Sequence, residues 1–202
     1  MEDFFKSLTQ TKDEEELIDF CRKNILHGTP KIFINKEGDY YDFRKRISNE
    51  YFIDFHEVYI TGSAKLGFSP YKRKEFDLES DIDVTIVSVK LYERIMNFIQ
   101  DYQLQLRESR KTVSEKEIKE YHKFLEYTAI GWMRPDLLPI SFRGNEIKSS
   151  WFQFFQSISY GRSEVGNYKV TAGVFKSHKY LERYIVSGIK QLKKSIEIEK
   201  LS

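Results

Sequence analysis

Ser80-Asp81-Ile82-Asp83-Val84-Thr85-Ile86-Val87 carries two carboxylates two positions apart in a β-branched run. Strand side chains alternate faces, so Asp81 and Asp83 point one way while Ile82, Val84 and Ile86 pack the other. Side-by-side carboxylates repel, and burying one edge of the pair is costly unless a cation sits between them. A hard divalent ion is the natural counter-charge, and Mg2+ suits two carboxylates plus substrate phosphates. The plain structural alternative is an exposed acidic strand end, or a pair neutralised by Lys or Arg. Upstream, Val58-Tyr59-Ile60-Thr61 runs into Gly62-Ser63. Glycine there lets the chain turn sharply and lets a backbone N–H approach a ligand. Ser63 adds a hydroxyl, and a helix starting at this point would favour an anion at its N-terminus. The alternative is an ordinary turn with a Ser cap. In combination, the turn can hold phosphate oxygens while the carboxylates hold metal.

These residues need a sheet to position them. Residues 57–61 and 82–87 read as strands, joined by a long polar connection over 62–80 containing Lys72-Arg73-Lys74. That stretch is either a solvated charged loop or a basic flap over a phosphate-bearing ligand. Helical spacing covers a segment capped at Thr11, with acidic residues 13–16 in its first turn and Gly28 and Pro30 as its stop. It recurs over 39–51, 90–109, 114–130, 146–158 and 176–197. Residues 136–142 suggest a short third strand, and 170–175 either a strand end or the approach to a helix. The fold class expected is α+β, a small mixed sheet among many helices. Its parts are N-terminal helices (1–52), a core with inserted helices (53–145) and a C-terminal helical part (146–202).

Composition narrows the class. Lys plus Arg is 33 against 31 Asp plus Glu, a net charge of +2, which excludes a polybasic tail protein and leaves nucleic acid only a local patch. The one cysteine, Cys21, forms no intrachain disulfide and excludes a Cys-based zinc cluster. No apolar run suits a membrane span, and Met1-Glu2-Asp3-Phe4 lacks a basic signal-peptide start. A soluble cytoplasmic protein is expected. The four histidines are scattered, Ser63 lacks a Gly-x-Ser-x-Gly elbow, and there is no P-loop motif.

The order Thr61-Gly62-Ser63, spacer, Asp81-Ile82-Asp83-Val84 resembles the nucleotidyltransferase superfamily related to DNA polymerase β. Gly67 stands where many members carry a second glycine. Ser80 replaces an apolar residue, and the spacer 64–80 is longer than compact members use. The resemblance implies a nucleotidyltransferase core, Mg2+ (or Mn2+), and transfer of a nucleoside monophosphate from an NTP to an acceptor hydroxyl with loss of pyrophosphate. It implies a third carboxylate on a neighbouring strand. Asp136 is the candidate, alongside Asp81 and Asp83 as catalytic and metal-binding residues, with Asp77 and Glu79 as weaker substitutes. Oligoadenylate synthases and bacterial cyclic-dinucleotide synthases look similar in carrying such an Asp.

On the same resemblance Gly62 and Ser63 hold terminal phosphates. Lys176 and Ser177 open a helix facing the triphosphate, and Tyr180 stacks on the base. The alternative for that helix is a capped amphipathic element with Leu181, Tyr184, Ile185 and Ile189 in its core stripe. The acceptor stays open between a nucleotide (giving a signal used in antiviral defence), an RNA end, a protein and a small molecule. The competing function is a catalytically idle, antitoxin-like module that binds a protein partner.

Overall fold

The computed structural model describes residues 1–108, 113–138 and 145–199. A four-stranded sheet is built from β1 (Val58–Thr61), β4 (Asp81–Val87), β5 (Trp132–Met133) and β6 (Lys169–Phe175), in the order β1-β4-β6-β5. β1 runs antiparallel to β4, β6 parallel to β4, and β5 antiparallel to β6. The sheet is therefore mixed, as the α+β reading expected. It draws strands from both sides of residue 146.

Alternation divides its faces. Val58, Ile60, Ile82, Val84, Ile86, Val170, Ala172 and Val174 belong to the main core. They pack with side chains of α3 (Glu37–Tyr51), α5 (Val89–Arg107), α6 (Glu115–Ala129) and α7 (Asn145–Ser157). The other face carries Asp81, Asp83, Thr85, Lys169, Thr171 and Gly173. It is buried at Thr85 and Gly173 and closed towards Val87 and Phe175, which pack with Leu181 and Tyr180 of α8 (His178–Glu199). Farther along, Val186, Ile189, Leu192 and Ile196 of α8 form a second core with α1 (Glu2–Gln10) and α2 (Glu14–Cys21).

Several elements depart from the sequence reading. α1 was not foreseen. The cap of α2 is Asp13, whose side chain accepts from the Glu16 N–H at 2.9 Å, while Thr11 instead donates to the Leu8 carbonyl that ends α1. After Cys21 the chain continues as a π-helical turn, Arg22–Leu26. The 62–80 connection contains α4 (Gly62–Leu66) and a small hairpin of β2 (Phe68–Ser69) and β3 (Lys74–Glu75). Two of the Lys72-Arg73-Lys74 side chains are engaged: Lys74 pairs with Asp77 at 2.6 Å and Glu79 at 3.1 Å, and Arg73 pairs with Glu199. The strand expected at 136–142 lies earlier, at Trp132–Met133, and Pro135–Leu137 is a 3-10 turn. Pro135 has no N–H to extend a ladder. Residues 139–142 of that expectation lie outside the described residues.

Candidate active site

Thr61 stands opposite Asp83 in the β1–β4 register, so the Gly62-Ser63 turn leaves β1 beside the acidic end of β4. Gly62 has φ +67°, and a Cβ there would stand under 3.0 Å from Asp83 Oδ2 and 3.3 Å from Asp83 Cγ. Glycine is needed twice over, for the left-handed backbone and because the carboxylate fills the space a side chain would take. The structure thus brings Gly62 and Asp83 into direct apposition, with Ser63 next in the chain. α4 is five residues long. It offers N–H groups with no intrahelical partner, but too few peptides for a substantial macrodipole. Its anchor is Lys65, 7 % exposed, which donates to the carbonyls of His27 and Gly28. Burial lowers the Lys65 pKa.

The flanking strand supplies partners in register. Lys169 lies beside Asp81 and Thr171 beside Asp83. Lys169 Nζ is 3.2 Å from Asp81 Oδ2, and Thr171 Oγ1 donates to Asp83 Oδ1 at 3.1 Å. The Lys169–Asp81 pair is half exposed, at 52 % and 40 %, so it is weak and easily exchanged. It is also the neutralised pair that the plain structural reading of Asp-x-Asp allows. Asp83 keeps one side open to solvent. The protein crowded around the rest of its carboxyl pushes its pKa above the ordinary range, against the pull of the Thr171 hydroxyl. The Asp81 charge acts in the same upward direction, while Arg134 and Lys169 act downward.

Asp136 does not join the pair. It sits on the turn after β5, beyond β6, and both its oxygens are occupied by Arg134: Nε to Oδ1 at 3.2 Å and Nη2 to Oδ2 at 2.7 Å. The residues on the strand next to Asp81 and Asp83 are a cation and a hydroxyl, not a third acid. Among the described residues no group of three or more His, Cys, Asp or Glu side chains is gathered to hold a metal. Asp77 and Glu79 are taken up by Lys74.

Lys176, Ser177 and Tyr180 also stand elsewhere. Because β6 is parallel to β4, the chain leaves β6 beside Val87, at the opposite end from the acids. At about 3.3 Å per residue, Lys176 lies about 17 Å beyond Thr171 along the strand. The Lys176 ammonium is 5.9 Å from the Tyr92 ring centroid. The Ser177 carbonyl accepts from the N–H groups of Tyr180 and Leu181 as α8 begins. The Tyr180 ring packs over Gly131 within the Val87–Phe175–Leu181 cluster. The structure therefore does not bring Lys176, Ser177 and Tyr180 together with the acids and the Gly62 turn. Strand direction, which spacing does not encode, is the reason.

Residues whose sequence reading is packing alone line the same face. The Trp132 indole lies on Gly173, where a Cβ would stand under 3.0 Å from Nε1. Trp132 is 4.9 Å from Tyr127 and 5.3 Å from Tyr184, ring centre to ring centre. Tyr184, read only as part of a core stripe, is 44 % exposed. Burial raises its pKa, and the charges of Asp83 and Arg134 both reach it. The period-two pair Trp132-x-Arg134 was the available signal, hidden because the strand there is two residues long. A separate hollow of about 330 Å3 bounded by Asp42, Lys45, Arg46, Asn49 and Glu164 contains none of these groups.

Compared with family models, curated proteins and solved structures, the chain matches none. Among the described residues no helix is long and apolar enough to cross a membrane.

Proposed function

We propose that the chain binds a nucleoside triphosphate as its divalent-metal complex and transfers the nucleoside monophosphate to an acceptor hydroxyl, releasing pyrophosphate. The observation that carries this reading is the apposition of Gly62 and the Asp83 carboxylate. A glycine turn and an acid meet there on one sheet face, with Asp81 on the same side. The donor set fits one hard ion. Mg2+ commonly takes one or two carboxylates and completes its shell with water and substrate phosphates. It does not fit the three-carboxylate, two-ion arrangement that the family resemblance implied, because Asp136 is bound to Arg134.

Asp81 and Asp83 would hold the ion, and Asp81 would exchange Lys169 for it. Bound there, the ion supplies charge neutralisation for the phosphates and polarises the phosphorus under attack. Ser63 offers its hydroxyl and backbone N–H to the terminal phosphates. Thr171 holds Asp83 Oδ1 through its hydrogen bond, leaving Oδ2 on the side of the turn. Lys169 and Arg134 flank the acids with positive charge, which favours an anion over them.

One observation favours a second reading, a module that binds nucleotide and does not transfer it. The adjacent strand offers Lys169 and Thr171 where a third acid would help to activate the acceptor. The test is incubation of the purified chain with each labelled NTP, Mg2+ or Mn2+ and a panel of nucleotide, RNA, protein and small-molecule acceptors. A new product made by the wild type and not by the Asp81→Ala/Asp83→Ala variant supports transfer. Metal-dependent NTP binding with no product supports the module. Neither binding nor product overturns both.

A further inference from the structure

We propose that Asp136 is a positioning residue and that Arg134 is what it positions: a guanidinium fixed on the wall of the acid site to take the terminal phosphates of the bound nucleotide. The inference rests on the nucleotide-site reading and assigns it a phosphate-binding group from the β5 side.

The placement follows from register. Trp132 pairs with Phe175 and Met133 with Val174. Arg134 is the next residue, still extended at φ −121°, ψ 98°. It therefore emerges on the face of Trp132, Thr171 and Asp83, level with Gly173. The Trp132 indole fills the space over Gly173, whose partner on β4 is Thr85, so Arg134 and Trp132 share this face beside the acids. The guanidinium and the Asp83 carboxylate are close enough that each charge acts on the other.

The grip on Arg134 is two-point. Nε and Nη2 both donate to Asp136, so one edge of the fork and both carboxylate oxygens are used. Such bidentate pairing fixes orientation as well as charge. Among the described residues Asp136 is the only hydrogen-bond partner of that guanidinium, whose side chain is 36 % exposed. An arginine has five N–H donors, and among the described residues nothing takes the opposite edge. Half-buried, held in one rotamer and facing a carboxylate pair, that edge suits an anion lying over the acids. An arginine fork also binds phosphate oxygens in a two-point manner that lysine does not reproduce. A carboxylate with both oxygens engaged is poorly disposed to serve as a third metal ligand, which is why the role of Asp136 passes to its partner.

The experiment uses the full chain and two probes by calorimetry: Mn2+ alone, and the Mn2+ complex of inorganic tripolyphosphate. Wild type is expected to bind both. Arg134→Gln should bind Mn2+ alone at least as tightly as wild type, since a cation near Asp83 is lost, and the tripolyphosphate complex about tenfold or more weakly, the loss of a charge-assisted hydrogen bond. Asp136→Asn should keep Mn2+ binding and lose several-fold on tripolyphosphate, because Arg134 is no longer held. A purely electrostatic role for Asp136 gives the opposite sign, since removing a negative charge would tighten the anion. Arg134→Lys keeps charge and bulk if the Gln variant does not fold, and it too should bind tripolyphosphate more weakly. Unchanged tripolyphosphate affinity in the folded Arg134 variants, tighter binding in Asp136→Asn, or loss of Mn2+ alone in Asp136→Asn each overturns the proposal and leaves the nucleotide site standing. A wild type that binds neither probe overturns both.

Discussion

Gly62→Ala should damage the site through two separable effects. The first is backbone strain: φ is +67°, and an L-residue there costs about 1–2 kcal/mol. The second is steric. The new Cβ would stand under 3.0 Å from Asp83 Oδ2, so the carboxylate must move away from Thr171 Oγ1, which donates to it at 3.1 Å. A hydrogen bond to a charged group is worth about 1.5–3 kcal/mol, and the solvent access of Asp83 puts this one at the lower end, about 1.5. The sum is about 2.5–3.5 kcal/mol, or about 5–14 °C in unfolding midpoint for a chain of this size. In an Asp83→Ala background the steric effect vanishes and Gly62→Ala should cost only the strain. Urea denaturation of the four proteins of that cycle should give a coupling energy of about 1.5 kcal/mol. Metal-dependent ATP affinity should fall in Gly62→Ala as well. Equal cost in both backgrounds would refute the reasoning, because it would mean that the turn and the acid are not in contact.

Lys169→Ala should change stability by less than about 1 kcal/mol, as for other exposed pairs, and should tighten Mn2+ binding by freeing Asp81. Calorimetry checks the second and denaturation the first. Lys176→Ala should leave ATP affinity unaltered in a titration, since Lys176 lies at the far end of β6. Burial pushes the Cys21 thiol from 9.0 up to about 12. The unfolded chain therefore releases that proton first as the solution becomes alkaline. The stabilisation is complete below pH 9 and is lost towards pH 12, at about 1.4 kcal/mol per pH unit. Denaturation at pH 9 and pH 10 should show wild type losing about 1 kcal/mol more stability than Cys21→Ala, since Tyr92 and Tyr121, raised from 10.0 to about 12, contribute equally to both proteins.

The acid strand was legible because Ile82, Val84 and Ile86 alternate with Asp81 and Asp83, and burial against one face demands that period. The turn was legible because glycine at a strand end is chemically informative. What could not be read is the direction and order of strands. Lys169-Val170-Thr171-Ala172-Gly173-Val174-Phe175 is a central strand, yet its small residues blur the alternation. Its parallel pairing is a tertiary outcome, and that pairing carries Lys176 away from the acids while bringing Thr171 to them. Asp136 was readable as an acid near a strand. Its ion pair with Arg134, two positions earlier, arises because Pro135 turns the chain back. The α1 helix escaped notice because its one fully buried side chain, Leu8, rests on a partner helix at the other end of the sequence.

The most direct test of the central claim is a calorimetric titration of ATP into the wild-type chain and into the Asp81→Ala/Asp83→Ala variant, each with Mn2+ and with EDTA. The expected result is binding by the wild type in Mn2+, none in EDTA, and none by the folded variant in either. Equal ATP affinity in the variant, or wild-type affinity indifferent to EDTA, would contradict the assignment of this acid pair and glycine turn as a metal–nucleotide site.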